Sequence, residues 1–187
     1  MPRPWKVKNQ DYLLERWWMR LRRDHVVLPN GVELDEYHVL EMPDWVCVIC
    51  PLRTQEGDPA ILLVRQYRHA IGEVALELPA GAIEPGETVL EAALRELAEE
   101  TGYRAESVES VGKFYADPSR ITNAGHVVVA SGVARVGDPK PDLSEELEVV
   151  VVPTGMLQTL IESGELAHAT HVAAILTAAR DGLISFD

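Results

Sequence analysis

The sequence contains only two cysteines, Cys47 and Cys50. Their C-x-x-C spacing is typical of zinc and redox sites, but no second pair of ligands accompanies them. Both lie in WVCVICPL, which has the pattern of a buried strand, and residues three apart on a strand point to opposite faces. We therefore predict two buried, reduced thiols rather than a zinc or redox centre.

Long apolar segments are absent as well. The first residues, MPRPWKVKNQ, lack the apolar core of a signal peptide, and no apolar run approaches the length that crosses a bilayer. We expect a cytoplasmic protein that has no membrane partner.

Basic residues are few relative to acidic ones. The chain has 17 Lys and Arg against 30 Asp and Glu, a formal net charge of −13. A field of that sign repels polyanions, so nucleic acid is not an expected partner, although a small anion can bind where arginines are concentrated. With 187 residues, 47% of them hydrophobic, the chain can bury one substantial core and carry a small appendage.

The stretch GAIEPGETVLEAALRELAEETGY, residues 81–103, combines a loop with a helix. Two glycines and a proline punctuate its first six residues and leave no room for regular structure. Thr88 and Glu91 have the spacing of a capping box, and Gly102 supplies a left-handed stop. The pattern predicts a helix over about 89–101.

Helical periodicity gives this helix two unlike faces. Its apolar side is formed by Leu90, Ala93, Leu94, Leu97 and Ala98, and three glutamates gather nearly opposite: Glu96, Glu99 and Glu100. Carboxylates one turn apart repel each other by a few tenths of a kcal/mol per pair, and the helix dipole disfavours anions in the last turn. A bound cation removes both penalties, and hard oxygen ligands suit Mg²⁺ or Mn²⁺ better than zinc. A solvated acidic face is the alternative interpretation.

The spacing of the whole stretch resembles the signature of the Nudix hydrolases. The matching letters are Gly81, Glu87, Arg95-Glu96-Leu97, Glu99-Glu100 and Gly102. Only Tyr103 departs from the pattern, because the family more often has an aliphatic residue there. The resemblance implies hydrolysis of a nucleoside diphosphate linked to another group, with divalent metal held against the pyrophosphate.

The same resemblance assigns roles residue by residue. The implied metal ligands are one carbonyl and three carboxylates: Ala80, Glu96, Glu99 and Glu100. The last two are also the implied catalytic residues of the helix. Gly81 and Gly102 would be structural, and Arg95 would anchor the loop by pairing with Glu87, a role that its bidentate guanidinium suits.

The resemblance also implies the fold, an α/β/α sandwich around a mixed sheet over residues 42–187. Strand patterns interspersed with one central and two terminal helical patterns permit it. Residues 1–41 are predicted to be an appendage, because WWMRLRRDHVVL and VELDEYHVLE flank the turn sequence Pro29-Asn30-Gly31 and so predict a β-hairpin. A hairpin without a core is marginal in water, so it must pack on its own domain or on a second subunit.

Three aromatic residues of this appendage are candidates for substrate binding. Trp17, Trp18 and Tyr37 give more aromatic surface than a short sheet needs for itself. In the ADP-ribose pyrophosphatase group of the family, which the segment loosely resembles, such a sheet is exchanged between subunits and helps to hold the nucleobase. The resemblance implies a homodimer, and a simple extension of the domain's own sheet is the alternative.

The sequence VRQYR…LELPAG resembles the same group. Arg68 matches the family arginine that reaches the phosphates or the terminal ribose of the substrate. Arg65 is a second candidate, and it is equally well interpreted as a surface charge on an alternating strand. Pro118 lies sixteen residues after Gly102, which resembles the marker of ADP-ribose hydrolysers, although a turn-forming proline is common.

The general base is the point at which the chain departs from the family pattern. Many relatives carry a glutamate in the loop that here reads ADPSRITNAGH, but no acid occurs between Asp117 and Asp138. The next carboxylates lie in a predicted loop and the start of a strand: Asp142, Glu145, Glu146 and Glu148. The candidates for the base are Glu145, Glu146 or a glutamate of the helix.

The C-terminal part supplies two predicted helices, TGMLQTLIESG and ATHVAAILTAARDG. The second has an apolar stripe of Val172, Ile175, Leu176 and Ala179, typical of an amphipathic helix. We expect no chemistry from either helix. His168 and His171 are predicted at capping or surface positions, since no nearby acid with a role accompanies them.

Together these features predict a metal-dependent hydrolase of nucleoside diphosphate sugars such as ADP-ribose, which releases a nucleoside monophosphate and a sugar phosphate. Two alternatives remain: the same fold acting on nucleoside triphosphates or dinucleoside polyphosphates, and a non-catalytic sensor of a nucleotide sugar. The sequence VRQYR…LELPAG counts against the first alternative, and the intact set of carboxylates counts against the second.

Overall fold

The computed structural model describes residues 1–142 and 145–186. It divides into two compact units, of which the first contains residues 1–44 and 115–124 and the second contains the remaining described residues. Over the described residues, no helix has both the length and the apolar character needed to span a bilayer.

The first unit is built on an antiparallel sheet of three strands in the order β1 (Lys6–Arg16), β2 (Met19–Val27) and β3 (Glu33–Glu41). The predicted hairpin corresponds to β2 and β3, whose turn closes where the Gly31 amide donates to the Leu28 carbonyl at 2.9 Å. Strand β1 was not predicted, because the first half of KVKNQDYLLER offers no apolar alternation that would mark a face. Trp17 and Trp18 were predicted within a strand, but they form the turn between β1 and β2.

The loop at residues 115–124 belongs to this unit through backbone hydrogen bonds. The Leu40 amide donates to the Arg120 carbonyl at 2.8 Å, and the Thr122 amide donates to the Leu40 carbonyl at 3.0 Å. The Tyr37 hydroxyl donates to the Ser119 carbonyl. The end of β3 and this loop are therefore held together by contacts between residues far apart in sequence.

The second unit contains two larger sheets and a short strand pair. Its strands are β4 (Trp45–Ile49), β5 (Pro51–Arg53), β6 (Pro59–Arg68), β7 (Glu73–Glu77), β8 (Ala80–Ala82), β9 (Tyr103–Arg104), β10 (Ser107–Phe114), β11 (Gly125–Ser131), β12 (Ala134–Arg135) and β13 (Leu147–Pro153). One sheet has the order β10-β11-β4-β8, the other has the order β13-β6-β5 with β7 also on β6, and β9 pairs with β12. Because β11 and β4 run parallel while their other neighbours are antiparallel, the first of these sheets is mixed, as predicted.

Helices cover the strands of this unit on two sides. They are α1 (Val89–Thr101), α2 (Leu157–Ser163), which follows a 3₁₀ turn at Thr154–Met156, and α3 (Ala169–Arg180). One apolar cluster joins the strands to α2 and α3, and a second joins them to α1. Leu62 and Leu63, adjacent on β6 and both fully buried, enter different clusters because successive strand residues point to opposite faces. This layering confirms the predicted α/β/α sandwich.

The two cysteines follow the same alternation. Cys47 lies in the cluster under α2 and α3, and Cys50 lies in the cluster under α1. Both are free and fully buried, which confirms the predicted buried thiols. Burial raises the pKa of both thiols, that of Cys47 to about 12, because an apolar environment disfavours the thiolate.

The prediction of a single strand over WVCVICPL was wrong. Strand β4 ends at Ile49, and β5 begins at Pro51 in a different sheet. Between them the Cys50 carbonyl accepts a hydrogen bond from the Leu62 amide at 3.1 Å. Proline has no amide hydrogen to continue the first ladder, so the chain changes sheets at this point.

Helix α1 begins and ends where the sequence predicted. Thr88 Oγ1 accepts from the Glu91 amide at 3.3 Å, Glu91 Oε2 accepts from the Thr88 amide at 2.9 Å, and Gly102 has a left-handed φ of 73°. The predicted faces were partly right: Ala93 and Leu97 are buried as expected, whereas Leu90 and Leu94 are each 39% exposed. The buried face consists of Ala92, Ala93, Glu96, Leu97 and Glu100, with Thr101 at its end.

The predicted stripe of α3 was also partly wrong. Leu176 is 49% exposed, whereas His171 is 1% exposed. The buried residues of this helix are Thr170, His171, Ala174, Ile175 and Ala178. The small alanines and the histidine take the places that the periodicity assigned to larger apolar residues.

Candidate metal and substrate site

Two carboxylates of α1 are buried against β8 instead of facing solvent. Glu96 is 9% exposed and Glu100 is 2% exposed, and the Ala80 amide donates to Glu100 Oε2 at 2.8 Å. A strand residue directs its N–H and its C=O to the same side, so the Ala80 carbonyl faces the same side as Glu100. The backbone of Ala80 and Gly81 and two carboxylates therefore come together at the start of β8.

The electrostatics of this cluster leave it short of positive charge. Burial raises the pKa of Glu100 to about 8, with the Ala80 amide acting in the opposite sense and the charges of Glu96 and Glu145 adding to the rise. Burial likewise raises the pKa of Glu96, against the lowering effect of Arg95. Carboxylates held this way are stabilised by a cation.

Gly81 gives the Glu96 carboxylate its place. A Cβ added at Gly81 would overlap that carboxylate, so any side chain at this position would displace it. The glycine of the motif is thus required for a close approach between β8 and α1, while Gly102 is required for the left-handed end of the helix.

Arg95 ties the loop to the helix. Its Nε and Nη2 donate to the two oxygens of Glu87 at 2.9 and 3.0 Å, and Nη2 also donates to the Ala82 carbonyl at 2.9 Å. Its Nη1 donates to Glu96 Oε1 at 2.8 Å and to Glu99 Oε2 at 3.1 Å. All three guanidinium nitrogens of Arg95 therefore donate hydrogen bonds to oxygens of the protein. The hydrogen bonds to Glu87 raise the pKa of Arg95.

The remaining predicted ligand, Glu99, differs from the other two. Its side chain is 49% exposed and its ion pair is with Arg95. It lies on the solvent side of the cluster, while Glu96 and Glu100 lie within it. The donor set as a whole consists of oxygen atoms, which fits a hard divalent cation and does not fit a soft metal.

The two candidate bases also differ. Glu145 is exposed, accepts a hydrogen bond from the Asp142 amide at 3.1 Å, and is among the charges that raise the pKa of both Glu96 and Glu100. Glu146 is exposed and is not among the main influences on either carboxylate. Of the two candidates, Glu145 is therefore the one whose charge influences the pKa of the buried carboxylates.

Arg68 is held by a buried residue that the sequence interpretation missed. Its Nε and Nη2 each donate to Glu77 at 2.6 Å, and Glu77 is 2% exposed. The hydrogen bonds to Glu77 raise the pKa of Arg68, and Glu100 and Glu145 contribute further. Glu77 was missed because nothing in the alternating sequence EVALELPAG indicates that one of its two glutamates is buried.

Arg65 is placed differently. It lies directly opposite Glu148 in the pairing of β6 with β13, and the two form an ion pair at 2.6 Å. Both side chains are substantially exposed, at 40% and 64%, so this is a surface cross-strand pair of small energetic value.

The prediction of capping or surface positions was wrong for His171 and correct in position for His168. His171 is buried, and its Nδ1 accepts a hydrogen bond from the Leu78 amide at 3.2 Å. His168 is half-buried and occupies the N-cap position of α3, although its side chain makes no capping hydrogen bond. Their rings stack with centroids 4.1 Å apart. The sequence around His171 does not indicate that its hydrogen-bond partner is the backbone amide of Leu78, which is distant along the chain.

In the N-terminal unit the three aromatic residues predicted to bind substrate are exposed to solvent to different extents. Trp17 is 93% exposed and Trp18 is 46% exposed, and both line an open cleft of about 530 Å³ that also includes Met42. Tyr37 is half-buried, with Trp5 packed edge-on at 5.3 Å and its hydroxyl donating to Ser119. The two tryptophans are available to a ligand, whereas Tyr37 supports the loop.

A second group of charged side chains lies in this unit. Single ligand atoms of His25, Glu33 and Asp35 lie within 4.8 Å of one another. Lys8 also pairs with Glu33 at 2.6 Å, and all of these side chains are partly or largely exposed. Ion pairing within the sheet accounts for this group.

Comparison with known proteins identifies the family. The family model described as NUDIX domain matches residues 43–174, and the model described as nucleoside diphosphate sugar hydrolase N-terminal domain matches residues 5–40. The chain is 34% identical to the ADP-ribose pyrophosphatase of Bacillus subtilis over 154 residues, covering 81% of this chain and 80% of that protein. It is 32% identical to the ADP-sugar pyrophosphatase of Mus musculus over 180 residues, covering 88% and 81%.

A solved structure shares the fold. The crystal structure titled ADP compounds hydrolase superposes with a TM-score of 0.79 at 24% identity, covering 98% of this chain and 96% of that one. The sequence motif, the buried carboxylates and a family model that spans most of the chain agree. The chain belongs to the Nudix hydrolase family.

Proposed function

We propose that this protein hydrolyses the pyrophosphate of ADP-sugars such as ADP-ribose, in a reaction that depends on Mg²⁺ or Mn²⁺ and yields a nucleoside monophosphate and a sugar phosphate. The observation that carries the proposal is the burial of Glu96 and Glu100 beside Ala80, at the centre of the Nudix motif. The choice of substrate is supported by relatives named for ADP-ribose and ADP-sugar pyrophosphatase activity.

In this proposal the cation is held by the Ala80 carbonyl and by Glu96, Glu99 and Glu100. When bound, the cation offsets the charge of the phosphates and acidifies water. Arg95 keeps the loop and the helix together and neutralises part of the charge on Glu96 and Glu99. The chain's own contribution is thus a fixed set of oxygens whose negative charge Arg95 offsets only in part.

Two further side chains act on the substrate. Arg68, fixed by its two hydrogen bonds to Glu77, leaves Nη1 free of that pair, and this nitrogen can donate to a phosphate oxygen. Glu145 accepts a proton from the attacking water, because its carboxylate is exposed and near the cluster. Arg65 is assigned no direct role, since Glu148 already occupies it.

Nucleobase recognition is assigned to the exposed indoles of Trp17 and Trp18, which offer flat apolar faces for stacking. We further propose that the protein is a homodimer. Support comes from the first unit, where Trp5, Tyr12 and Leu13 are each more than 40% exposed in addition to the two tryptophans, and exposed apolar surface of this kind marks an interaction site.

A panel of nucleotide sugars, nucleoside triphosphates and dinucleoside polyphosphates tests the substrate class. Products are treated with phosphatase and the released phosphate is measured with Mg²⁺, with Mn²⁺ and with chelator. We expect hydrolysis of ADP-ribose, with other bases or sugars tolerated within about a hundredfold in kcat/KM, because stacking alone discriminates weakly.

The matched variants are Glu100→Gln, which removes a ligand charge, and Glu109→Gln, which removes an exposed charge on β10. The first should lower kcat by far more than tenfold and the second should not change it. Activity confined to nucleoside triphosphates, or a Glu100→Gln variant with less than a tenfold loss, contradicts the proposal.

The dimer has its own test. Sedimentation of the full chain at micromolar concentration should give twice the monomer mass, and removal of residues 1–41 should give a monomer with weaker substrate binding. A full-length chain that sediments as a monomer would contradict the dimer while leaving the hydrolase unaffected.

A further inference from the structure

The segment that carries the metal-site carbonyl is held by three unlike acceptors in a row. Strand β7 pairs with β6 along one edge, and the alternate amides at Leu76, Leu78 and Ala80 donate elsewhere. Leu76 donates to the Glu165 carbonyl at 2.8 Å, Leu78 to His171 Nδ1 at 3.2 Å, and Ala80 to Glu100 Oε2 at 2.8 Å. A backbone carbonyl, an imidazole and a carboxylate thus take the place of a neighbouring strand.

The middle position is where the chain changes sheets. Strand β7 ends at Glu77 in the sheet of β6, and β8 begins at Ala80 in the sheet of β4. Between them the Pro79 carbonyl accepts from the Val48 amide at 2.9 Å, and Pro79 itself has no amide hydrogen to donate. The hydrogen bond to His171 therefore holds the backbone amide of Leu78 at the crossing point.

This hydrogen bond fixes the chemical state of His171. A backbone N–H can only donate, so Nδ1 must be the unprotonated nitrogen and the proton of the neutral ring lies on Nε2. Burial also lowers the pKa of His171 well below its ordinary value, with further lowering by His168 and Arg68. The lone pair of Nδ1 is thus committed to Leu78 even though Glu77 Oε2 lies 3.8 Å away.

The neighbours of His171 set the direction of its ring. His168 stacks on it at 4.1 Å with an angle of 21° between the planes, and Trp45 packs against both rings at 5.2 and 5.5 Å. Helix α3 carries the imidazole into the core, where it is 1% exposed. An acceptor with so little freedom can set the position of the backbone that it binds.

We propose that His171 is a positioning residue for the reaction: its Nδ1 fixes the backbone at Leu78, and through it the Ala80 carbonyl on one side and the Glu77–Arg68 pair on the other. The inference rests on the proposed function, since it takes Ala80 as a metal ligand and Arg68 as a phosphate contact. It gives helix α3, which touches neither metal nor substrate in this proposal, a part in the arrangement of both.

Four variants of the full-length protein test the inference. His171→Leu removes the acceptor at similar volume, His171→Asn keeps an oxygen near the place of Nδ1, and His171→Gln keeps the polarity but moves the acceptor one bond outward. Ile175→Val is the matched control, because Ile175 is fully buried on the same helix and has no role in the site. For each variant we would measure kcat and KM for ADP-ribose, thermal stability and amide hydrogen exchange. The Mn²⁺ affinity would be measured from the electron paramagnetic resonance signal of free Mn²⁺.

His171→Leu and His171→Gln should lose about tenfold or more in kcat and in Mn²⁺ affinity, as changes behind a metal ligand usually do, while KM changes less. The Leu78 and Ala80 amides should exchange faster in both. His171→Asn should restore kcat and Mn²⁺ affinity to within about threefold of the wild type, and Ile175→Val should match the wild type in both quantities.

A purely structural role predicts a different result. If His171→Leu lowers the thermal stability but keeps the kcat and the Mn²⁺ affinity of Ile175→Val, or if Asn rescues no better than Gln, the inference is wrong. Should His171→Leu fail to fold, the contrast between Asn and Gln decides. If Glu100→Gln retains activity, the proposed function fails instead, and the exchange rates at Leu78 and Ala80 still report whether His171 positions this segment.

Discussion

The missing side chain at Gly81 leaves the space that the Glu96 carboxylate fills. We expect Gly81→Ala to push that carboxylate away from Ala80 and to lower kcat by at least about tenfold, a loss of roughly 1.4 kcal/mol or more in transition-state stabilisation. The affinity for Mn²⁺ should fall as well, because a displaced ligand binds the cation less well. Steady-state kinetics and Mn²⁺ titration measure both effects.

The control for this change is Gly137→Ala. Gly137 has no positive φ, and an added Cβ would meet no atom within 4 Å, so activity should be retained. If Gly81→Ala is as active as Gly137→Ala, catalysis does not require the observed position of the Glu96 carboxylate.

The buried carboxyl of Glu100 makes the stability of the metal-free protein depend on pH. Its pKa is raised from 4.5 to about 8, so the folded state favours the protonated acid. The stabilisation from this group is fully present below pH 4.5 and is lost as the pH rises through about 8, with a ceiling on the order of 5 kcal/mol. Over that interval the metal-free wild type should lose stability relative to Glu100→Gln.

Urea unfolding at a series of pH values, with chelator and with Mg²⁺, measures this difference. Mg²⁺ should remove most of it, because the cation stabilises the carboxylate. A difference between the two proteins that does not vary from pH 5 to pH 8 would show that the site tolerates the charge without metal.

The general base is tested by two adjacent residues. Because the charge of Glu145 is among the main influences on the pKa of both buried carboxylates and that of Glu146 is not, we expect Glu145→Gln to lower kcat by about 10²-fold or more with little change in KM. Glu146→Gln, one residue away and also exposed, should remain close to wild type. Equal losses in both variants, or none in either, would return the role to the glutamates of α1.

The residues of the site were only partly predictable. The pairing of Arg95 with Glu87 follows from the motif because both partners lie in one short stretch. The burial of Glu96 and Glu100 could not be predicted, because periodicity assigns charged residues to the solvent face unless the position of β8 is known. The role of His171 depends on a backbone amide far away in sequence, which no local pattern specifies.

At the scale of single elements, the start of α1 depends on a capping box. Both of its hydrogen bonds are present, so Thr88→Ala should lower the free energy of unfolding by about 1 kcal/mol. Thr88→Ser keeps the hydroxyl and should recover most of the loss. Urea unfolding measures both, and a neutral Thr88→Ala would mean that packing alone fixes the helix start.

Elements whose ends are marked by capping or turn residues were predicted well. Helix α1 has a cap at one end and a glycine at the other, and its bounds follow from neighbouring residues alone. Strand β1 and the break at Cys50 have no such marks. The continuous apolar run around Cys50 reads as one strand because both sheets bury their residues equally, and the change of sheet is decided by partners elsewhere in the chain.

At the scale of the whole molecule, a division at residue 41 is what contiguous sequence suggests. The compact units of the structure also group residues 115–124 with residues 1–44, through hydrogen bonds from Leu40 to Arg120 and from Thr122 to Leu40. Such pairings join segments that are distant along the chain, so composition and turn signals cannot reveal them.

The reactivity of the two cysteines tests whether the two apolar clusters of the core open separately. Cys47→Ser leaves only the thiol under α1, and Cys50→Ser leaves only the thiol under α2 and α3. In native protein both should react slowly with iodoacetamide, because burial disfavours the thiolate. Adding Thr88→Ala should speed the reaction of Cys50 about fivefold, as a loss of about 1 kcal/mol predicts, and should change that of Cys47 less. Equal acceleration would mean that the two layers open together.

The short segment from Cys47 to Cys50 places one thiol in each layer, so the chain carries a native reporter on each side of its sheets. Most proteins need an introduced label to tell which side of a sheet loosens first, and the label perturbs the packing that it reports. Here the reporters are native side chains with no exposure at all. The helical layer that supplies the carboxylates and the layer that supplies His171 can therefore be followed separately while metal or substrate is added.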